Sequence, residues 1–261
     1  MSAQSPSLPR RITRVHIGYA ILAVLLGIAV GVLLVLPAVP QKLAYHDFHD
    51  ARTLLGIPNA MNVLSNAAFA IAGLSGLALV RRAPAAVIDP PLKPAYATLF
   101  TGLLLTALGS AYYHWNPTHP TLIWDRLPIA MAFMALFATV IGERIDPVIG
   151  RAALAPLVAL GAASVLYWAA FDDLRPYGIV QFYPILAIPV LLACMPCRKP
   201  GSGYLLAAIA CYLGAKALEE ADGWIYGFGG LVSGHTLKHL AAALGAWLIY
   251  RMLVARAVAS R

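Results

Sequence analysis

Apolar residues run in eight long stretches along this chain, roughly over 16–37, 60–80, 95–114, 123–142, 148–170, 177–196, 203–222 and 233–254. Each approaches the ~20 apolar residues that one membrane-crossing helix needs. Between them stand turn formers: Pro37 and Pro40, Pro84, Pro90-Pro91, Pro117 and Pro120, Pro147, Pro176, and the run from Pro196 to Gly203. The pattern predicts an all-α integral membrane protein with eight transmembrane helices in one compact domain. Arg10, Arg11 and Arg14 precede the first stretch, as in a signal peptide. Its apolar core of about 20 residues exceeds the ~7–15 of a cleaved signal. A retained helix at 16–37 behind a basic cytoplasmic tail at 1–15 is therefore expected.

Composition narrows the class. The chain is 61% apolar and 11% charged, against about 45–50% and about 25% for a soluble domain. That excludes a disordered chain, a collagen and a disulfide scaffold, and argues against a soluble enzyme. Cys194, Cys197 and Cys211 are too few for a disulfide framework. A net charge of +8 would suggest nucleic acid in a soluble protein. In a membrane protein the position of each sign matters more, and no nucleic-acid partner is expected.

Counting charges orients the chain. With the N-terminus inside, 13 of the 19 basic residues fall on one face and 6 on the other, with 8 of the 11 acids. Basic residues collect on the cytoplasmic side, so both termini are expected there, including a short tail at 255–261. Six of the seven histidines, His46, His49, His114, His119, His235 and His239, fall on the opposite, acidic face. Ionisable residues in or beside membrane spans are costly and point to function.

Three segments carry the chemistry. The third stretch ends in Ser110 to Trp115, the fourth begins Trp124-Asp125-Arg126, and the eighth begins Ser233 to His239. Alternating spans bring these three ends to one membrane face. His235 and His239 are four apart, neighbours on a helix; Ser110 and His114 have the same spacing. Three imidazoles leave a fourth position of tetrahedral zinc open for water, the pattern of a catalytic site, and zinc makes that water acidic. Asp125 can then hold or deprotonate the water, and Ser110 can donate to an oxyanion. Each piece also has a plain reading. His114 can be interfacial, Asp125 can pair with Arg126, and Ser110 can be a small packing residue. Lys216 with Glu219 and Glu220 reads as an ion-pair cluster. Lys238 is expected to snorkel to the interface, and Asp172, Asp173 and Arg175 to form a loop on the site's face.

The motif Ser-x-x-x-His, an Asp eleven residues after that His, and a C-terminal His-x-x-x-His resemble the signature of a superfamily of seven-span membrane hydrolases and receptors. Alkaline ceramidases, progestin and adipoQ receptors and hemolysin III proteins belong to it. The stretches from Gly56 to Asn66, Trp124 to Pro128 and Ser233 to Leu240 look like the alkaline ceramidase family in its bacterial form. The resemblance covers about 45–254. It implies a seven-helix ceramidase-like bundle there, with the helix at 16–37 as an extra. It implies zinc on His114, His235 and His239, Asp125 as proton acceptor for the zinc-bound water, and Ser110 as oxyanion donor. The implied reaction is hydrolysis of the amide of ceramide, or a ceramide-like N-acyl lipid, to a sphingoid base and a fatty acid. The implied place is a bacterial inner membrane, with the site on the non-cytoplasmic face.

Animal relatives in that family carry an N-terminal calcium (Ca2+) site. Here Asp47, Asp50 and Asn59 are the candidate ligands, and a solvated loop with a helix cap is the alternative. Other functional readings are a receptor-like zinc protein with little turnover, a hydrolase of another lipid class, and a transporter. Transporter sites usually lie near the midplane, whereas these residues gather at one end.

Overall fold

The computed structural model describes residues 8–260, with side chains from Thr13 onward. The expected basic tail falls partly outside that range, as does Arg261. Ten α-helices follow in order: α1 Leu8–Val35, α2 Ala60–Ser65, α3 Ala67–Arg82, α4 Lys93–Trp115, α5 His119–Arg144, α6 Pro147–Phe171, α7 Arg175–Cys194, α8 Ser202–Glu220, α9 Asp222–Tyr226 and α10 Gly234–Ala259. No strand occurs among the described residues. Seven helical segments are long and apolar enough to cross a membrane, α2 and α3 together making one of them. The chain is therefore a multi-pass membrane protein. The stretch expected as a further span is α8, which is less apolar because Lys216, Glu219 and Glu220 crowd its last turns.

Helix ends follow local chemistry. Thr118 caps α5 in a capping box with Thr121, and Pro120 stands in the first turn, where its missing N–H costs nothing. Asp146 caps α6 by accepting from the amides of Val148 and Ile149, and Ser233 caps α10 by accepting from that of Thr236. Two boundaries differ from expectation. α1 starts at Leu8, so residues 8–15 are helix rather than tail, and α10 runs to Ala259 rather than ending near 254. Arg10, Arg11 and Arg14 in the first extension and Ala255, Arg256, Ala257 and Ala259 in the second are good helix formers that prolong a span beyond its apolar part.

Helices α3, α4, α5, α7, α8 and α10 close a ring, each packed on the next, with α6 outside against α5 and α7. α1 packs on α7, and Ile17, Val24, Leu26, Ile28 and Leu34 on it are exposed, which suits contact with lipid. Inside lipid there is little hydrophobic drive between helices, so close backbone approach does the packing. Gly109 is one such point. A Cβ there would overlap the carbonyl oxygen of Trp124 on α5. Pro128, four residues on, has no N–H to engage that carbonyl. The contact brings the last turns of α4 against the first turns of α5.

The ring encloses a cavity of about 660 Å³. On α4 its lining runs Ser110, Thr106, Leu103, Leu99; on α5 Asp125 and Arg126, then Ile129, Phe133, Leu136; on α10 Lys238 and His239, then Ala242, Ala246, Ile249. On all three helices the polar residue is at one end and the apolar run extends ~15 Å beyond it, at 1.5 Å per residue.

Candidate metal centre

His114 stands in the last turn of α4. His235 and His239 stand one turn apart at the start of α10. One ring nitrogen from each lies within 4.8 Å of the others, and all three side chains are buried. Ring centroids are 4.9 Å apart for His114–His235, 4.7 Å for His114–His239 and 5.0 Å for His235–His239. Among the described residues this is the one group of three or more His, Cys, Asp or Glu able to hold a metal ion.

The surroundings fix the rings. Ser65 Oγ donates to the carbonyl of Asn62 at 3.0 Å, which uses its only hydrogen. At 2.7 Å from His239 Nδ1 it therefore accepts an N–H from the imidazole. That leaves His239 Nε2 as a bare lone pair, 3.1 Å from His114 Nε2. A metal-ligating histidine is usually held in this way through its other nitrogen. Asn59, left-handed at φ 46°, donates its side-chain amide to the carbonyl of His114 at 2.9 Å, a group the end of α4 leaves without a helical partner. Asp222 accepts the backbone N–H of His235 at 2.7 Å, and a Cβ on Gly234 would overlap the carbonyl of Leu218. These contacts seat the start of α10 on the end of α8. The ring of Phe48 lies 4.7 Å from those of both His114 and His235.

Ser110 and Asp125 line the same cavity as His239, and the Ser110 hydroxyl is within hydrogen-bonding reach of the Asp125 carboxylate. The structure thus gathers all five residues expected at the site. Asp125 Oδ1 and His114 Nδ1 are buried without a hydrogen-bond partner. Three converging imidazole nitrogens, one locked as an acceptor, beside a carboxylate with a free oxygen, fit a zinc ion with an open position.

The candidate calcium ligands are not brought together. Asp50 is tied to Arg52 by two bonds of 2.7 Å, which hold its carboxyl below the ordinary range. Asn59 faces His114, and Asp47 is exposed. Lys238 does not snorkel outward. It pairs with Glu219, which also binds Lys216 at 2.6 Å, and lies 3.4 Å from His235 Nε2. The suggested Asp125–Arg126 ion pair is absent among the described residues, because adjacent helix positions point apart.

A strap, residues 36–59, covers this end of the bundle. Gln41 N–H donates to Asp172 at 2.9 Å and Val39 N–H to Asp173 at 3.2 Å. Tyr45 O–H donates to Glu219 at 3.2 Å. His46 bridges Tyr113, at 2.9 Å, and His119, at 2.8 Å, and His49 pairs with Asp222 at 3.1 Å. The histidine bias seen in the sequence signalled this cluster, while nothing in the spacing pointed to Phe48 or to the strap's register. No protein-family model, curated protein or solved structure matches the chain.

Proposed function

We propose that this chain is a zinc-dependent membrane amidase of ceramidase type, cleaving the N-acyl amide of a lipid. The observation that carries this reading is the placement of three buried imidazoles, Asp125 and Ser110 at the polar end of an otherwise apolar cavity. In this reading eight helices, α8 included, cross a bacterial inner membrane, both termini lie in the cytoplasm, and the site faces outward. The lipid chain lies along α4, α5 and α10 while its amide stands at the polar end.

His114, His235 and His239 would hold zinc. Bound there, it would supply a Lewis acid and a water acidic enough to attack at neutral pH. Asp125 takes the proton of the attacking water at its unpartnered Oδ1 and returns it to the leaving nitrogen. Ser110 turns its hydroxyl from Asp125 to the carbonyl oxygen as negative charge grows there. The C–N bond breaks, water supplies OH to the acyl carbon and H to the amine, and a fatty acid and an amine leave. Apolar walls keep bulk water from the reacting carbon.

The test is fatty-acid release, measured by mass spectrometry, from ceramides and other N-acyl lipids by zinc-loaded protein. The wild type releases fatty acid, and His239→Ala binds no zinc by metal analysis and releases none. Absence of release from every amide overturns the amidase reading, and release from esters alone replaces it with another lipid hydrolase.

A further inference from the structure

We infer that the polar end of the cavity reads an anionic headgroup, so that the preferred substrate is an N-acyl lipid with a carboxylate beside the amide, an N-acyl amino acid, rather than a neutral ceramide. This rests on the amidase reading above and names its substrate class. The observation is Arg126. Its side chain is 95% buried, being 5% exposed, within a helix long and apolar enough to cross the membrane, where a charge is expensive unless paired. The other buried or half-buried cations around it have carboxylate partners: Lys216 and Lys238 share Glu219, Arg175 has Asp173, and Arg52 has Asp50.

Arg126 has none among the described residues. Its guanidinium lies 4.1 Å from the ring centroid of Trp168, 5.0 Å from Tyr177 and 5.6 Å from Tyr45. These rings attract the cation without neutralising it. Nη2 donates to Gln41 Oε1 at 2.5 Å, while Nη1 has no hydrogen-bond partner. The aromatic rings hold the planar fork in place, and such a fork matches a carboxylate with two parallel bonds.

The surrounding charge agrees. The cavity is lined by Lys42, Arg126, Lys216 and Lys238 and by Asp125 and Glu220; with Glu219, which pairs with both Lys216 and Lys238, cations outnumber anions by one. Position decides which end of the lipid Arg126 meets. It sits with Gln41 and Lys42 under the strap, whereas the apolar run along α5 leads the other way, through Ile129, Phe133 and Leu136. The anion therefore belongs to the amine side of the scissile bond, and the chain to the deep side.

The test compares N-palmitoylglycine with N-palmitoylethanolamine, which match in size and differ in charge. Wild-type protein is expected to favour the glycine conjugate in kcat/KM by about tenfold or more, mostly through KM, since loss of a partner for a buried polar group is strongly selected against. Arg126→Gln brings the ratio to about one, and Arg126→Lys keeps a preference for the anion. Equal rates on the two lipids with the wild type, which needs no variant to fold, overturn the inference while leaving the amidase reading intact. If neither lipid is cleaved but ceramide is, the inference is overturned and the amidase reading stands; if no amide is cleaved, that reading fails, and chelator-treated protein decides the headgroup question alone by thermal shift. Greater stabilisation by N-palmitoylglycine than by N-palmitoylethanolamine, lost in Arg126→Gln, upholds the anion site, and equal stabilisation overturns it. Stabilisation by free palmitate as large as that by N-palmitoylglycine also overturns it, because Arg126 then reads the acyl product.

Discussion

Helices α4, α5 and α10 each carry a buried polar cluster at both ends, about 25 Å apart along the helix axes. At one end Glu143 accepts from Tyr96 at 2.5 Å and from Arg256 at 2.6 and 3.0 Å, and Arg256 Nε donates to the carbonyl of Pro200 at 2.7 Å. Glu143 and Arg256 match each other, the equally buried Arg144 donates to Ser202 Oγ at 2.6 Å, and no buried side-chain atom of these residues lacks a hydrogen-bond partner. At the other end stand the three histidines, Ser110, Asp125 and Arg126, and His114 Nδ1, Asp125 Oδ1 and Arg126 Nη1 have no partner. The remaining buried side-chain atoms without partners, on Asn62, Asn66, Trp168 and Tyr212, neighbour the site or its cavity. An unmatched buried polar atom costs ~1–3 kcal/mol. A cluster that only holds helices together saturates itself, as Glu143 and Arg256 do. A cluster that keeps donors and acceptors free is shaped for something that arrives.

Four perturbations break or sharpen that contrast. Asp125→Asn is expected to lower amide turnover by ~10²–10⁴-fold, the usual worth of a positioned proton acceptor, with zinc content unchanged by metal analysis. Loss of zinc along with turnover would move Asp125 into the ligand set. Glu143→Gln leaves Arg256 as an unpaired buried charge and should cost ~3–5 kcal/mol, seen as a lower midpoint of thermal unfolding in detergent. Zinc content should stay the same, and pairing Glu143→Leu with Arg256→Met should restore much of the loss. Ser65→Ala frees His239 Nδ1 and is expected to weaken zinc ~10–100-fold in competition with a chromophoric chelator; unchanged affinity would mean that packing alone orients the ring. The smallest effect concerns the strap. Hydrogen bonds from Arg175 hold the Asp173 carboxyl at about 2, below its unfolded value of ~3.9. Its contribution is therefore fully present above about pH 4 and is lost as pH falls toward 2. In Asp173→Asn the amides of residues 36–45 should exchange hydrogen faster at neutral pH.

Most of the site was legible because helical spacing and alternating spans are strong constraints. His235 and His239 had to share a face, and the ends of α4, α5 and α10 had to share a depth. Helix boundaries were harder to read, since the hydrocarbon-length argument marks where a span is apolar and not where helix ends; hence α1 begins at Leu8. The start of α5 was hidden for a related reason. His119 to Ile123 look like loop by composition, yet the Thr118 capping box makes them helix and places Asp125 in its second turn. Lys238 was misjudged because its partner, Glu219, lies on another helix, and spacing along one helix cannot show a contact between two. The strap was out of reach altogether. Its course depends on hydrogen bonds to Asp172, Asp173, Glu219 and Asp222, set by tertiary structure rather than by any local period.

The crossing at Gly109 bears on how a mutational scan of this protein would read. Gly109 bears no reactive group and does not line the cavity, yet it has no room for a single methyl group against the Trp124 carbonyl. Alanine there pushes apart the two helices that present Ser110 and Asp125. In a saturation library scored by turnover, position 109 should rank with the histidines. Scored by expression it should also fall, as the histidines should not. If the chain is the amidase proposed above, that difference separates a residue that makes room for chemistry from residues that perform it.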